Sequence, residues 1–255
     1  VKLLTLARDL KRRKARERTG LFVAEGVRTV ETLCDSPLAI RGVLLANGTE
    51  SEARVRVVLD RLEARGVPLL RVTEAEFASA ADTESPQGLL ALGEVPRRQA
   101  DDLPRPRRVL VLDAVQDPGN VGTILRTAAA LGVDVTIALP GTVDLWNAKV
   151  VRSAMGALFV HPVISMAWDE ADRWLRAHEV PLWAADAVGT PVSDAAAIHP
   201  ARLALVVANE GAGVSPHVAA AAAKLVAIPM APGAESLNVA VAAGILLYAL
   251  APGSP

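Results

Sequence analysis

Six short apolar runs in the chain beyond residue 108 constrain its fold more than any other feature. They lie at residues 109–115, 135–139, 158–164, 182–185, 203–208 and 225–229, and consist mainly of Val, Ile, Leu and Ala. A strand with one face in water alternates apolar and polar residues. These runs do not, so they predict strands covered on both faces, as in a parallel sheet flanked by helices. The stretches between them fit the helices. Val121, Ile124, Leu125, Ala128 and Ala129 fall at i, i+3, i+4, i+7 and i+8, the stripe of one helix face. Ser215-Pro216 reads as an N-cap followed by proline at the first helical position. The last helix has a stripe at Val239, Ala242, Ala243, Leu246, Leu247 and Leu250, and its other face, with Ala240, Val241, Gly244 and Ile245, is apolar too. A helix apolar all round needs cover on both sides. At the end of a modest domain, that predicts a subunit interface.

Residues 94–108 read EVPRRQADDLPRPRR, with three prolines, many charges and no apolar periodicity. This is linker composition. It predicts a domain at 1–95, a linker at 96–107 and a second domain at 108–255. The first domain reads as a small α/β unit, with helices near 25–33 and 51–65 and strands at 40–45, 68–72 and 88–92. Thr73 with Glu76 fits a capping box.

The formal net charge is −1 over 255 residues, so overall charge does not announce a nucleic-acid partner. Its distribution says more. The first twenty residues hold Lys2, Arg8, Lys11, Arg12, Arg13, Lys14, Arg16 and Arg18 against Asp9 and Glu17. Such a segment is either a phosphate footprint or a solvated helix face. Cys34 is the only cysteine, which rules out an internal disulfide and a cysteine metal cluster. His161, His178, His199 and His217 are not at ligand spacing, so no metal is expected. The basic start lacks the apolar core of a secretory signal, and the longest apolar run, 237–250, is too short to span a bilayer. A reducing cytoplasm fits this cysteine usage.

In open parallel sheets, ligands sit beyond the carboxyl ends of the strands, and three strand-end segments are unusual. After 109–115 come Gln116-Asp117-Pro118-Gly119-Asn120-Val121-Gly122 and then Arg126. Pro118-Gly119 reads as a tight turn, and a helix start beside an arginine is a fair phosphate site. A capped helix with a surface arginine is the plainer alternative. After 203–208 come Asn209-Glu210-Gly211-Ala212-Gly213, where two glycines beside a carboxylate suit a backbone wrapped round a ligand or an ordinary turn. After 225–229 come residues 230–238, where Ser236 is a possible N-cap and Asn238 is a polar residue heading an apolar helix.

Taken in order, Asn120-x-Gly-x-x-x-Arg126, Asn209-Glu210-Gly211, and Ile228-Pro229-Met230 with Ser236-Leu237-Asn238-Val239 resemble the three motifs of the SpoU/TrmH family of RNA 2′-O-methyltransferases, in the SPOUT superfamily. Lys149 to Phe159 is similar to the family's segment between the first two motifs. Phe22-Val23-Ala24-Glu25-Gly26 and Gln87-Gly88-Leu89 are a weaker match to its N-terminal substrate-binding domain, which is similar to ribosomal proteins that bind bent RNA. The resemblance implies a catalytic domain with a deep trefoil knot, a homodimer, and S-adenosylmethionine as cofactor. By motif match, Ala208, Gly211, Ile228, Met230, Ser236 and Leu237 would line the cofactor pocket. Asn120, Arg126, Glu210 and Asn238 would be the polar residues of catalysis. Ala208 stands where many relatives have glycine. Ribosomal RNA is favoured as substrate over transfer RNA.

Two rivals are weaker. A dinucleotide-binding enzyme would need G-x-G-x-x-G, which is missing. A non-catalytic ribosome-associated RNA-binding protein would have no use for Arg126, Glu210 and Asn238 at strand ends. For the implied reaction, Arg126 has two possible roles, because a free guanidinium stays protonated far above neutral pH. It is a base in a site that depresses its pKa, as the family is usually described, or a charged clamp on phosphate and oxyanion. Energetics favour the clamp.

Overall fold

The computed structural model describes residues 2–103, 105–198, 200–209, 211–234 and 236–251. In chain order the elements are α1 (Lys2–Asp9), α2 (Arg13–Thr19), β1 (Leu21–Glu25), α3 (Val27–Asp35), β2 (Ile40–Ala46), α4 (Ala53–Ala64), β3 (Leu69–Val72), α5 (Glu74–Ala80) and β4 (Leu89–Glu94). There follow β5 (Arg108–Asp113), α6 (Pro118–Ala130), β6 (Val135–Ala138), α7 (Ala148–Ser153), α8 (Ala157–Val160), β7 (Val163–Ser165) and α9 (Trp168–Ala177). The last are β8 (Leu182–Pro191), α10 (Val192–Ala196), β9 (Leu203–Ala208), α11 (Pro216–Ala221), β10 (Lys224–Ala227) and α12 (Val239–Ala249). The chain divides into two compact units. One holds the N-terminal stretch to Arg97 together with Asp144–Val160; the other holds Arg98–Val143 and the chain from His161 onward.

The first unit has a four-stranded sheet in the order β1-β4-β2-β3, antiparallel except for β2 with β3. Phe22 of β1 is fully buried, stacked on Phe159 at 5.6 Å and tilted against Trp146 at 4.6 Å. Its register partner on β4 is Gly93, and any Cβ there would overlap the Phe22 ring. These aromatic contacts bind the inserted segment Asp144–Val160 to the unit, which a linker at 96–107 alone does not anticipate. The capping box forms as read: the Thr73 hydroxyl accepts from the Glu76 N–H at 3.2 Å, and the Thr73 N–H donates to the Glu76 carboxylate at 3.0 Å. The basic start forms α1 and α2, and Arg16 within it is neither a phosphate footprint nor a solvated face. It is buried, donating from Nε to Asp144 at 2.7 Å and from Nη1 to the Leu10 and Lys11 carbonyls at 2.6 and 3.0 Å.

The second unit has a six-stranded sheet among the described residues, ordered β10-β8-β9-β5-β6-β7, with every neighbouring pair parallel. Its central strands β5, β6 and β9 are buried as expected, with Val111, Ile137 and Val206 in one cluster under Trp174 and Leu175 of α9, while the edge strands β7 and β10 are only partly buried. One run differs. Residues 158–164, read as a single strand, split into α8 and β7, because Pro162 interrupts the stretch and Leu158 and Phe159 are buried in the other unit. Arg108 at the start of β5 donates to the Leu131 and Leu247 carbonyls, both at 2.6 Å. One guanidinium therefore satisfies carbonyls at the carboxyl ends of both α6 and α12. Burial pushes its pKa down, with Asp134 opposing.

His161 is buried against Thr136, its Nε2 2.7 Å from the hydroxyl. Burial, helped by the charge of Arg98, lowers its pKa from 6.5 to about 4. A histidine with a depressed native pKa stabilises the fold fully above its unfolded value and loses that contribution as pH falls through the native one. Between pH 6.5 and 4 the loss should reach roughly 3 kcal/mol, at about 1.4 kcal/mol per unit. His161→Gln keeps a partner for Thr136 without titrating, so urea melts across this window should show a flatter profile. Identical profiles for the two proteins would refute the assignment.

Candidate active site

The strand order fixes where a ligand can sit. From β5 the sheet continues through β6 and β7 on one side, and through β9, β8 and β10 on the other. Connections leave in opposite directions at the β5–β9 pair, and such a switch point opens a crevice beyond the carboxyl ends. Asp113 and Ala208 are register partners there. Asp113 is buried, its carboxylate accepting the Ser215 N–H at 2.7 Å, and the next residue, Ala114, is held at φ 55°. Left-handed backbone at a non-glycine residue is strained and frequent at functional sites.

Three segments meet this crevice. The first is helix rather than loop. Asp117 caps α6, accepting the Asn120 N–H at 2.7 Å, and Pro118 is the first helical residue rather than a turn residue. Arg126 consequently lies about 12 Å along the axis from the start of α6, at 1.5 Å per residue, and its side chain is exposed. The helix start and Arg126 do not form one compact phosphate site. In the second segment, the Asn209 side chain accepts from Gly211 and Ala212 N–H groups at 2.8 and 3.3 Å and donates to the Ala114 carbonyl at 3.4 Å. Glu210 lies outside the described residues. In the third, Asn238 and not Ser236 caps α12. Its Oδ1 accepts from Ala240 and Val241 at 3.0 and 3.3 Å, and its Nδ2 donates to Asn120 Oδ1 at 3.0 Å. The polar residue heading an apolar helix thus ties the start of α12 to the start of α6.

A cleft opens beside this junction. Of the residues matched to a cofactor pocket, Ala208, Ile228, Met230, Ser236 and Leu237 line it, while Gly211 does not. Sequence reasoning missed Ala185, Asp186 and Ala187, which form another wall. They come from an irregularity in β8: Ala184 pairs with Leu225 and Thr190 pairs with Val226, so 185–189 leave the ladder. An acidic residue following an apolar strand run was the available signal. The lining is mostly apolar side chains, with Asn209, Ser236 and the Asp186 carboxylate as polar groups. That suits a ligand with a flat apolar part and a few polar handles. Among the described residues no cluster of metal-binding side chains occurs, and no helix is long and apolar enough to cross a membrane.

A parallel-sheet unit with a ligand cleft beyond the carboxyl ends of β8, β9 and β10, and a separate small α/β unit, define a two-part enzyme architecture of the α/β class. The particular family follows from comparison. Residues 107–248 match the SpoU rRNA Methylase family, and residues 4–91 match the MRM3-like substrate binding domain. The 23S rRNA (guanosine(2553)-2′-O)-methyltransferase RlmP of Bacillus subtilis is 35% identical over 247 residues, covering 95% of this chain and 93% of that one. The AdoMet-bound rRNA methyltransferase of Sinorhizobium meliloti superposes with a TM-score of 0.85 at 30% identity, over 97% and 93% of the two chains. The AdoMet complex of the SpoU methyltransferase AviRb from Streptomyces viridochromogenes gives a TM-score of 0.86 at 28% identity, over 98% and 97%. The chain belongs to the SpoU rRNA methylase family.

Proposed function

We propose that this protein methylates a ribose 2′-hydroxyl of ribosomal RNA, using S-adenosylmethionine held in the cleft between β8, β9 and the 228–237 segment. The observation that carries this reading is the lining itself: five motif-matched residues converge on one apolar cleft beside the Asn120–Asn238 hydrogen bond. Its apolar walls suit an adenine ring, and Asp186 and Asn209 supply polar contacts. When bound, S-adenosylmethionine supplies a methyl group activated by its sulfonium. The protein's part is to place the hydroxyl and manage its charge. Asn238 and Asn120 brace the helix starts, and Arg126, held in place by Glu210 and Asn238, clamps the target phosphate and stabilises the developing oxyanion. The second unit binds cofactor, the first selects RNA, and the cytoplasm is the setting. The knotted topology implied by the family belongs to the same reading.

The direct test supplies methyl-tritiated S-adenosylmethionine with protein-free large-subunit ribosomal RNA and, in a parallel reaction, with transfer RNA. Label should appear in nuclease-derived dinucleotides that resist alkali, the mark of a blocked 2′-oxygen. Label in transfer RNA alone would shift the substrate, and absence of S-adenosylmethionine binding would leave a non-catalytic RNA-binding protein.

The homodimer forms through α12 in this reading. Val239, Ala243, Leu246 and Leu247 are buried within the chain, whereas Val241, Ile245 and Tyr248 remain 52, 39 and 57% exposed. An all-apolar helix with an uncovered face lacks its second partner. Wild type should sediment as a dimer at micromolar concentration. Ile245→Asp would bury an unpaired charge there and should sediment as a folded monomer. A monomeric wild type would end the idea.

A further inference from the structure

We propose that a groove in the first unit binds one unpaired nucleotide of the RNA substrate, with Arg28 on its phosphate and Met155 against its base. This rests on the reading that the first unit selects RNA. The groove lies between α3, the start of α4, residues 83–87 and residues 152–155. Arg28, Arg54 and Arg152 line it, together with Thr29, Thr83 and Gln87.

The groove is built from buried polar contacts. Glu25, at the end of β1, is only 4% exposed. Its carboxylate accepts the Asp82 N–H at 2.7 Å, the Thr83 N–H at 3.4 Å and the Thr83 hydroxyl. Arg152 stands 4.0 Å from the same carboxylate and 3.2 Å from Asp82. Gln87 accepts the Val27 N–H at 3.1 Å, fixing the start of α3. Glu25 thus holds the wall opposite α3, and Arg152 is tethered into it. Arg54 is paired with Glu31, while Arg28 makes no ion pair among the described residues.

The rim carries the second observation. Met155 has φ 48° and Gly156 φ 89°, and the room left by the missing Gly156 side chain is filled by the Thr32 methyl. This backbone displays the Met155 thioether 55% exposed on the groove. Met155 follows the end of α7 as a non-glycine residue in left-handed backbone with its apolar side chain shown to water, and such strain collects where ligands bind. A polarizable thioether packs well on a flat ring. Guanidiniums bind phosphate, and hydroxyls and an amide read a base edge or a 2′-hydroxyl. An unpaired nucleotide uses all of these; an acidic peptide would use only the arginines.

Removing residues 1–95 would strip Phe22 from Phe159 and Trp146, so substitutions in the full chain make the cleaner test. Binding of protein-free large-subunit ribosomal RNA is measured by filter retention across a salt series. Arg28→Ala should weaken binding about tenfold and reduce the log–log salt slope by about 0.7, the value for one phosphate on a single strand. Met155→Ala should weaken binding with the slope unchanged, and Met155→Phe should restore it. Melting temperature and S-adenosylmethionine affinity should match wild type in all three. If Arg28→Ala and Met155→Ala bind as wild type does, the groove is wrong while RNA selection stands. If wild type itself does not retain RNA, both readings fall.

Discussion

Arg126→Ala should lower methyl transfer on the order of 10²–10⁴-fold, the usual span for a group that handles a proton or a developing charge, with S-adenosylmethionine affinity nearly intact. A ribose hydroxyl is a feeble nucleophile, so its proton must leave or its oxyanion must be stabilised as the methyl arrives. Arg126 is exposed on α6, so alanine there leaves no cavity, and the melting temperature should hardly move. Loss of rate without loss of fold or cofactor binding would mark a group that acts on the substrate. Arg126→Lys then separates the two roles. If a base is required, lysine gives up a proton more readily than arginine, and partial activity should return and rise with pH. If a planar two-pronged clamp is required, an ammonium lacks the fork and activity should stay low. The exposed position, two turns into α6, favours the clamp, since from there a long side chain can reach a phosphate at the surface. Turnover of Arg126→Ala close to wild type would remove both roles and the site assignment with them.

What the sequence reveals here depends on how local the deciding interactions are. The run at 203–208 reads correctly as β9 to the residue, because an unalternated apolar stretch bounded by Arg202 and Asn209 carries its own limits. Thr73 and Glu76 declare their capping box within four residues. Asp117-Pro118 held the same kind of signal as Ser215-Pro216, an N-cap followed by proline. It was hidden by Gly119, which makes Pro118-Gly119 look like a turn. Residues 158–164 could not be read locally, since their apolar residues serve two different units: Phe159 packs on Phe22, while Val163 begins a strand of the other sheet. Asn238 rather than Ser236 caps α12, through the Ala240 and Val241 N–H groups, and its bond to Asn120 spans 118 residues of chain that no local window contains. The wall formed by Ala185–Ala187 depends on where β10 pairs, which no window over β8 contains.

That pairing supplies the other large expected effect, at Gly189. An ideal Cβ built there would lie 2.6 Å from the Leu225 carbonyl carbon and the Val226 nitrogen, and 2.7 Å from the Val226 carbonyl carbon. All three are backbone atoms, so no rotamer change can make room, and β8 and β10 would have to separate. Gly189 is not in left-handed backbone, so Gly189→Ala isolates crowding from conformational strain. Overpacking of this kind costs about 1–3 kcal/mol, and at about 2–4 °C per kcal/mol the melting temperature should fall by roughly 2–12 °C. The consequence for function is larger, because the cleft is built on the same pairing. Ala185, Asp186 and Ala187 enter it from the β8 side, and Val226 and Ile228 from the β10 side. Moving one strand from the other displaces both walls, so calorimetric titration should show S-adenosylmethionine affinity reduced more than tenfold, the equivalent of about 1.4 kcal/mol. Gly211→Ala is the matched control. Its Cβ would meet only the Asn209 side chain, at 3.5 Å, and its backbone is not left-handed. It should therefore melt close to wild type, although it lies within a family motif and Gly189 does not. Wild-type melting and affinity in Gly189→Ala would mean that β8 and β10 are not paired in this register, and the cleft would have to be rebuilt around a different wall.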